Sequence, residues 1–149
     1  MSQSAAPQFE TDPRFPSGPW VGFYLMPHTR GKRHPTELKL TFADGTMTGS
    51  GRDVVGPFTI QGRYEVVEGK CRWVKHYHGK HDVYYSGFNE GKGIWGTWDI
   101  PNALGVVWNG GFHIWPAGMG DPTQQVLHAE ADPPAVVEEA GELEPAGVV

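Results

Sequence analysis

The sequence predicts an all-β protein built as an eight-stranded antiparallel up-and-down barrel. Its 149 residues include 21 glycines, 13 prolines, 6 tryptophans, 5 tyrosines and 7 phenylalanines, a composition that favours strands and tight turns over helices. Short segments alternate polar and apolar side chains with a period of two, and turn residues separate them. An open sheet of this kind would leave two unpaired edges, which closure removes. A two-sheet sandwich is the alternative.

Eight segments carry this alternation: residues 19–26, 36–43, 46–52, 57–67, 70–77, 81–88, 93–100 and 108–115. The clearest connection is Asp44-Gly45, because a type I′ hairpin turn needs two residues that tolerate positive φ. Glycines 69, 79 and 91 mark further turns. One barrel domain over residues 19–116 follows.

The two ends of the chain differ from this body in composition. Residues 1–18 are rich in Ser, Ala and Pro and predict a flexible leader, whose Phe9 and Phe15 are expected to dock on the barrel. Residues 117–149 contain seven acids and no Lys or Arg. Such a segment buries too little apolar surface to offset the entropy of ordering, so we predict a disordered acidic tail.

Charge and cysteine content narrow the function classes. Residues 19–116 carry a net charge of +3 from eleven scattered cations and eight anions, and form no basic stripe, which argues against nucleic-acid binding. No apolar run approaches the roughly 18 residues of a membrane span, so no membrane partner is expected. A single cysteine, and a first thirty residues without a secretory signal pattern, predict a cytoplasmic location.

Side-chain alternation identifies the inner wall of the barrel. In the fourth strand the apolar members share even numbers, and in the second strand even-numbered apolar residues face the third strand across Asp44-Gly45. The predicted inward residues are Phe58, Ile60, Tyr64, Val66, Leu38, Leu40 and Phe42, with Gly51, Gly49 and Met47 opposite the last three.

The segment WVKHYHGKHDVYYSG, residues 73–87, predicts a polar cavity wall. With a three-residue turn over 78–80, one face of this hairpin carries Trp73, Lys75 and Tyr77. They lie opposite Tyr85, Val83 and His81, respectively. This face is the more aromatic one, so we place it inside. An ammonium there needs a partner, and Asp53 is the candidate because it continues the inward parity of Gly51. With the inward Trp98, the predicted ligand-binding residues are Asp53, Lys75, Tyr77, His81, Tyr85 and Trp98.

Other chemistry has weaker support. His76 and His78 share a strand face, but His81 falls on the other one, so neither a metal site nor a cofactor is predicted. No G-x-S-x-G segment presents a nucleophile. Trp20 is expected to point inward. Trp95 and Trp115 are expected to point outward, as an apolar patch that Phe9 and Phe15 would cover.

The opening SGPWVGFY, with Gly18-Pro19-Trp20 leading the first strand, resembles the G-x-W entry of lipocalins and the similar opening of avidin-like barrels. The resemblance covers residues 18–116 and implies the eight-strand meander of these calycin-type proteins.

Three functions are compatible with these residues. The first is a non-catalytic binding module whose cavity takes a small molecule or a peptide group. The second is a protein-interaction or scaffold module with a solid core, which uses its surface aromatic residues and its acidic tail. The third is an enzyme in which Lys75, His81 and a tyrosine act as acid-base groups. The first is our hypothesis, and oligomeric state stays open.

Overall fold

Eight antiparallel strands form a closed barrel in the computed structural model, which describes residues 8–101 and 107–124. Each strand pairs with its neighbour in the chain, and the last pairs with the first. The predicted topology is therefore confirmed. The strands are β1 (Gly18–Leu25), β2 (Arg33–Ala43), β3 (Thr46–Asp53), β4 (Gly56–Tyr64), β5 (Lys70–Tyr77), β6 (Asp82–Asn89), β7 (Ile94–Pro101) and β8 (Val107–Pro116), followed by a 3-10 turn, Ala117–Met119.

The turn between β2 and β3 sets the register of this part of the wall. Asp44 and Gly45 have φ angles of 52° and 76°, as a type I′ turn requires. Leu38 then lies opposite Gly51, as predicted. A Cβ atom at position 51 would meet the Phe58 ring. Glycine at this position therefore makes room for a large inward ring on the neighbouring strand.

Phe15 closes one end of the barrel. Its side chain is fully buried and packs against the rings of Phe42 and Tyr64, with centroids 5.4 and 4.9 Å away. The docking of Phe15 is therefore confirmed. In the described part of the predicted leader, residues 8–17, this ring supplies the apolar contact with the barrel. We call this end, where β2 and β4 finish, the closed end.

Polar contacts hold the leader at the closed end. The Arg14 guanidinium binds the Asp12 carboxylate at 2.8 Å and donates to the carbonyl oxygens of Val66 and Asn89. The Asn89 side-chain amide donates back to the Arg14 carbonyl at 2.6 Å. These bonds reach two turns of the barrel, so the leader is anchored on both sides of Phe15.

The fourth strand is shorter than predicted, and Val66 lies outside it. The prediction ran to residue 67 with Val66 inside, but β4 ends at Tyr64 and Val66 is 37% exposed. The Glu65 amide donates to the Lys70 carbonyl, and Gly69 adopts a φ of 76°. The chain therefore leaves the wall in a tight turn before it reaches Val66.

The predicted exposed patch of Trp95 and Trp115 is wrong, because Trp115 is buried. It lies outside the main core cluster, as expected, but only 7% of it is exposed because it packs edge-on against Phe23 and His113. Trp95 is 44% exposed. The two tryptophans therefore do not form one exposed patch, and Phe15 is used at the closed end rather than as a cover for it.

The predicted acidic tail over residues 117–149 lies outside the described residues from position 125 onward. In the described part, residues 117–124, Arg33 forms an ion pair with Asp121 at 3.4 Å. Within residues 8–101 and 107–124, no helix has the length and apolar character needed to cross a membrane.

Removing the ring that closes the barrel tests its role. Phe15→Ala is expected to lower the free energy of unfolding by about 3–5 kcal/mol, because it leaves a cavity in a packed core. Urea denaturation measures this loss. Phe9→Ala is the matched control, since Phe9 is 59% exposed, and it should change stability by less than about 0.5 kcal/mol. Equal effects of the two substitutions would contradict the account.

Candidate ligand-binding site

A cavity of about 220 Å³ lies at the end of the barrel opposite Phe15. We call this end the open end; here β1, β5 and β7 finish. The cavity walls are mainly aromatic and aliphatic, with one ammonium group among them. The lining residues are Tyr24, Met26, Val55, Lys75, Tyr77, His81, Val83, Tyr85, Trp98, Ile100 and Trp108.

The β5–β6 hairpin positions the polar residues of this cavity. Trp73 pairs with Tyr85 and Lys75 pairs with Val83, as a three-residue turn predicts. Lys75 and Tyr77 alternate with the exposed His76. The predicted register is therefore confirmed, and the odd-numbered residues of this face are buried, except for the exposed His81.

Asp53 is the counter-charge of the buried lysine. Its Oδ2 lies 3.0 Å from the Lys75 ammonium nitrogen and accepts a hydrogen bond of 2.7 Å from the Tyr77 hydroxyl. Its Oδ1 accepts from the Val55 amide at 2.9 Å. The side chains of Lys75 and Asp53 are only 4% and 0% exposed. Both carboxylate oxygens are thus satisfied, which is the condition under which a buried charge is tolerated.

Aromatic rings enclose the same ammonium. Its nitrogen lies 5.0 Å from the ring centroid of Tyr24, 4.7 Å from Phe58, 4.8 Å from Tyr77 and 5.2 Å from Tyr85. Ring faces attract a cation through their quadrupole, and the attraction grows when water is excluded. Lys75 has three N–H donors, and only Asp53 accepts from it among the described residues. Two of its donors therefore have no acceptor among the described residues.

Burial sets the protonation of these groups. Burial lowers the pKa of Lys75, and the neighbouring Asp53 carboxylate opposes this shift. Burial raises the pKa of Tyr24 to about 12, and the charge of Asp53 adds to the effect. The pKa values of Tyr77 and Tyr85 also rise, first through burial and then through Asp53. The three phenols are therefore neutral donors at neutral pH.

The predicted site residues divide into three groups in the structure. Lys75, Tyr77, Tyr85 and Trp98 line the cavity and are buried. His81 lines it from the rim and is exposed, because it precedes the first residue of β6. Asp53 does not line the cavity; it lies behind Lys75 and Tyr77 and holds both.

Sequence reasoning missed several lining residues. Tyr24 shares the inward parity of Trp20 on β1, so continued alternation could have found it. Met26 lies one residue beyond β1, and the described side chains of Ile100 and Trp108 lie near the ends of β7 and β8. Side-chain alternation predicts inward or outward direction only within a strand. It therefore could not identify the residues at the rim of the cavity, which lie at strand ends.

A smaller void of about 20 Å³ adjoins the cavity and shares Tyr24, Lys75 and Tyr85 with it. This volume is enough for about one water molecule. Thr36 also lines the void, and its buried hydroxyl oxygen has no hydrogen-bond partner among the described residues. Lys75 therefore borders open space on two sides.

The histidines of the β5–β6 hairpin do not converge. His76 Nδ1 contacts Asp82 Oδ1 at 2.5 Å on the exposed surface, whereas His81 lies at the cavity rim. In the described part of the chain, no group of three or more His, Cys, Asp or Glu side chains could hold a metal ion.

A double-mutant cycle tests the ion pair. Lys75→Met alone leaves the Asp53 carboxylate buried without its counter-charge, and we expect it to lower the free energy of unfolding by about 3–5 kcal/mol. Adding Asp53→Asn should restore part of this loss, with a coupling energy of about 1–3 kcal/mol in urea denaturation.

The exposed pair Lys70 and Glu68, 2.9 Å apart, is the matched control. Lys70→Met and Glu68→Gln should be additive, since solvent screens exposed pairs. Additivity at Lys75 and Asp53 as well would show that the buried pair is not coupled.

Comparison of the chain with known sequence families, with curated proteins and with solved structures finds no match.

Proposed function

We propose that the barrel is a non-catalytic binding module for a small aromatic molecule that carries a carboxylate or carbonyl oxygen. One observation carries the proposal: the Lys75 ammonium, buried and held by Asp53, faces an aromatic cavity at the open end. Largely apolar pockets with a few placed polar groups are typical of small-molecule sites. The residues of the site are Asp53, Lys75, Tyr77, His81, Tyr85 and Trp98.

The size of the cavity limits the ligand. A volume of about 220 Å³ is below the usual 300–1,000 Å³ range of drug-sized pockets, so it suits a ligand of one or two fused rings. For a ligand with about a dozen non-hydrogen atoms, typical ligand efficiencies correspond to a dissociation constant on the order of 10–100 µM.

The polar groups select the functional group of the ligand. The ammonium of Lys75 has donors to spare, and the neutral hydroxyl of Tyr85 makes no hydrogen bond to another described residue. Both groups donate, so an oxygen acceptor is preferred over a cation. Asp53 is occupied by three donors and adds no free acceptor to the wall.

The proposal agrees with a lipocalin- or avidin-like use of the fold, in which a barrel closed at one end receives its ligand at the other. We also propose a cytoplasmic location for the protein. The chain has one cysteine, Cys71, which is buried, and burial raises the pKa of its thiol to about 12. A thiol of this kind is an unreactive core group.

Naphthoate is a suitable probe, because it joins a fused aromatic ring to a carboxylate. Isothermal titration calorimetry should give a dissociation constant on the order of 10–100 µM for naphthoate. Naphthylmethylamine has the same ring and a positive charge, so it should bind at least about tenfold more weakly beside Lys75. Failure of naphthoate to bind would overturn the proposal.

Two neighbouring valines provide a matched pair of variants. Val55 lines the cavity, whereas Val54 is 77% exposed in the same turn and does not line it. Val55→Trp should fill the mouth and weaken naphthoate binding at least about tenfold, and Val54→Trp should leave it unchanged. Equal affinities would show that naphthoate binds elsewhere.

A second candidate function is protein interaction through the outer face of β6 and β7. Phe88 and Trp95 are cross-strand neighbours with ring centroids 6.1 Å apart, and Tyr84 lies on the same face of β6. All three are more than 40% exposed, and aromatic surface of this kind suits an interface. Under this function, partner binding would be lost in Trp95→Ser and retained in Val55→Trp.

A further inference from the structure

We infer that Lys75 forms an imine with small aromatic aldehydes that enter the cavity at the open end. The inference rests on the proposed binding function and adds a covalent step to it. It concerns Lys75 because this is the one lysine that lines the cavity among the described residues.

The position of the nitrogen supports this reaction. An aldehyde whose ring lies between the aromatic walls brings its carbonyl carbon to the ammonium, because the rings around that nitrogen have their centroids within 5.2 Å of it. Tyr85 lies on the same wall, and its hydroxyl is free, among the described residues, to donate to the carbonyl oxygen. Binding thus supplies both orientation and polarisation.

A lysine must lose a proton before it can attack a carbonyl. Asp53 Oδ2, 3.0 Å from the nitrogen, is placed to accept it. Burial also lowers the pKa of Lys75, so a larger fraction of it is neutral at a given pH than without that burial. The exposed Lys80, whose nitrogen donates to the Val55 carbonyl at 3.1 Å, lies near the same rim without this environment.

The reaction balances without a further reagent. The neutral amine attacks the carbonyl carbon, a C–N bond forms as the C=O π bond breaks, and the oxygen takes up a proton that the attacking nitrogen loses, which gives a carbinolamine. The proton held by Asp53 then passes to this hydroxyl, which leaves as water while the nitrogen lone pair forms the C=N bond. The product is a protonated imine opposite the Asp53 carboxylate. Its charge equals that of the original ammonium, so the buried pair is preserved.

The apolar wall favours the product. Val83, Trp98 and Ile100 line the cavity beside Lys75, and they exclude bulk water from the C=N bond. An imine on an exposed lysine has no such protection. We therefore expect selectivity for Lys75 over the surface lysines.

Borohydride trapping tests the inference. The full chain is incubated with naphthaldehyde, and sodium borohydride then reduces any C=N bond to a stable secondary amine. Peptide mapping by mass spectrometry should find one naphthylmethyl group at Lys75, formed at least about tenfold faster than at any other lysine. Excess naphthoate should suppress this adduct by competition.

Variants at other positions test whether the adduct forms in the cavity, and they leave Lys75 itself unchanged. Val55→Trp should reduce the Lys75 adduct at least about tenfold, whereas Val54→Trp and Lys80→Arg should leave it unchanged. Equal labelling of many lysines would overturn the inference. So would naphthoate binding together with no adduct at Lys75, and in that case the binding function stands. If neither naphthoate nor naphthaldehyde binds, the proposed function fails as well.

Discussion

The buried ion pair of Lys75 and Asp53 is the constraint on which the open end of the barrel depends. A single buried charge costs several kcal/mol, and here an opposite charge lies 3.0 Å away with three hydrogen bonds on the carboxylate. The pair also links β3 to β5 across β4, and it draws the Tyr77 hydroxyl into the same contact. One polar cluster therefore joins two strands, β3 and β5, beside the cavity.

The two ends of the barrel are built from different interactions. At the closed end, Phe15 enters from outside the strands and completes a dry aromatic core with Phe42 and Tyr64. At the open end, no described residue from outside the strands fills the interior in this way, and the charge of Lys75 lies there beside the cavity. The interior of an eight-stranded barrel is either filled by side chains or wide enough to hold one small ligand. In this molecule, side chains fill the closed end, and the cavity at the open end has room for a small ligand.

Much of this arrangement follows from the sequence. Strict alternation in β2, β4 and β5 specified the inner faces, and the hairpin register placed Lys75 opposite Val83. Phe15 escaped prediction as part of the core because a single ring in a Pro-rich segment has no period. The burial of Trp115 depends on Phe23 from another strand, which alternation along one strand does not reveal. The rim residues Met26 and Ile100 lie where strands end and direction is no longer fixed by the pleat.

The pKa of Lys75 is the most direct test of the buried ion pair. Carbon-13 labelling of the lysine side chains allows each ammonium to be titrated by NMR. We expect Lys75 to titrate below the ordinary lysine value of about 10.4, because burial lowers its pKa. Asp53→Asn should lower this pKa further because the stabilising charge is gone. If Lys75 titrates like a solvated lysine in both proteins, the buried pair is not the basis of the site.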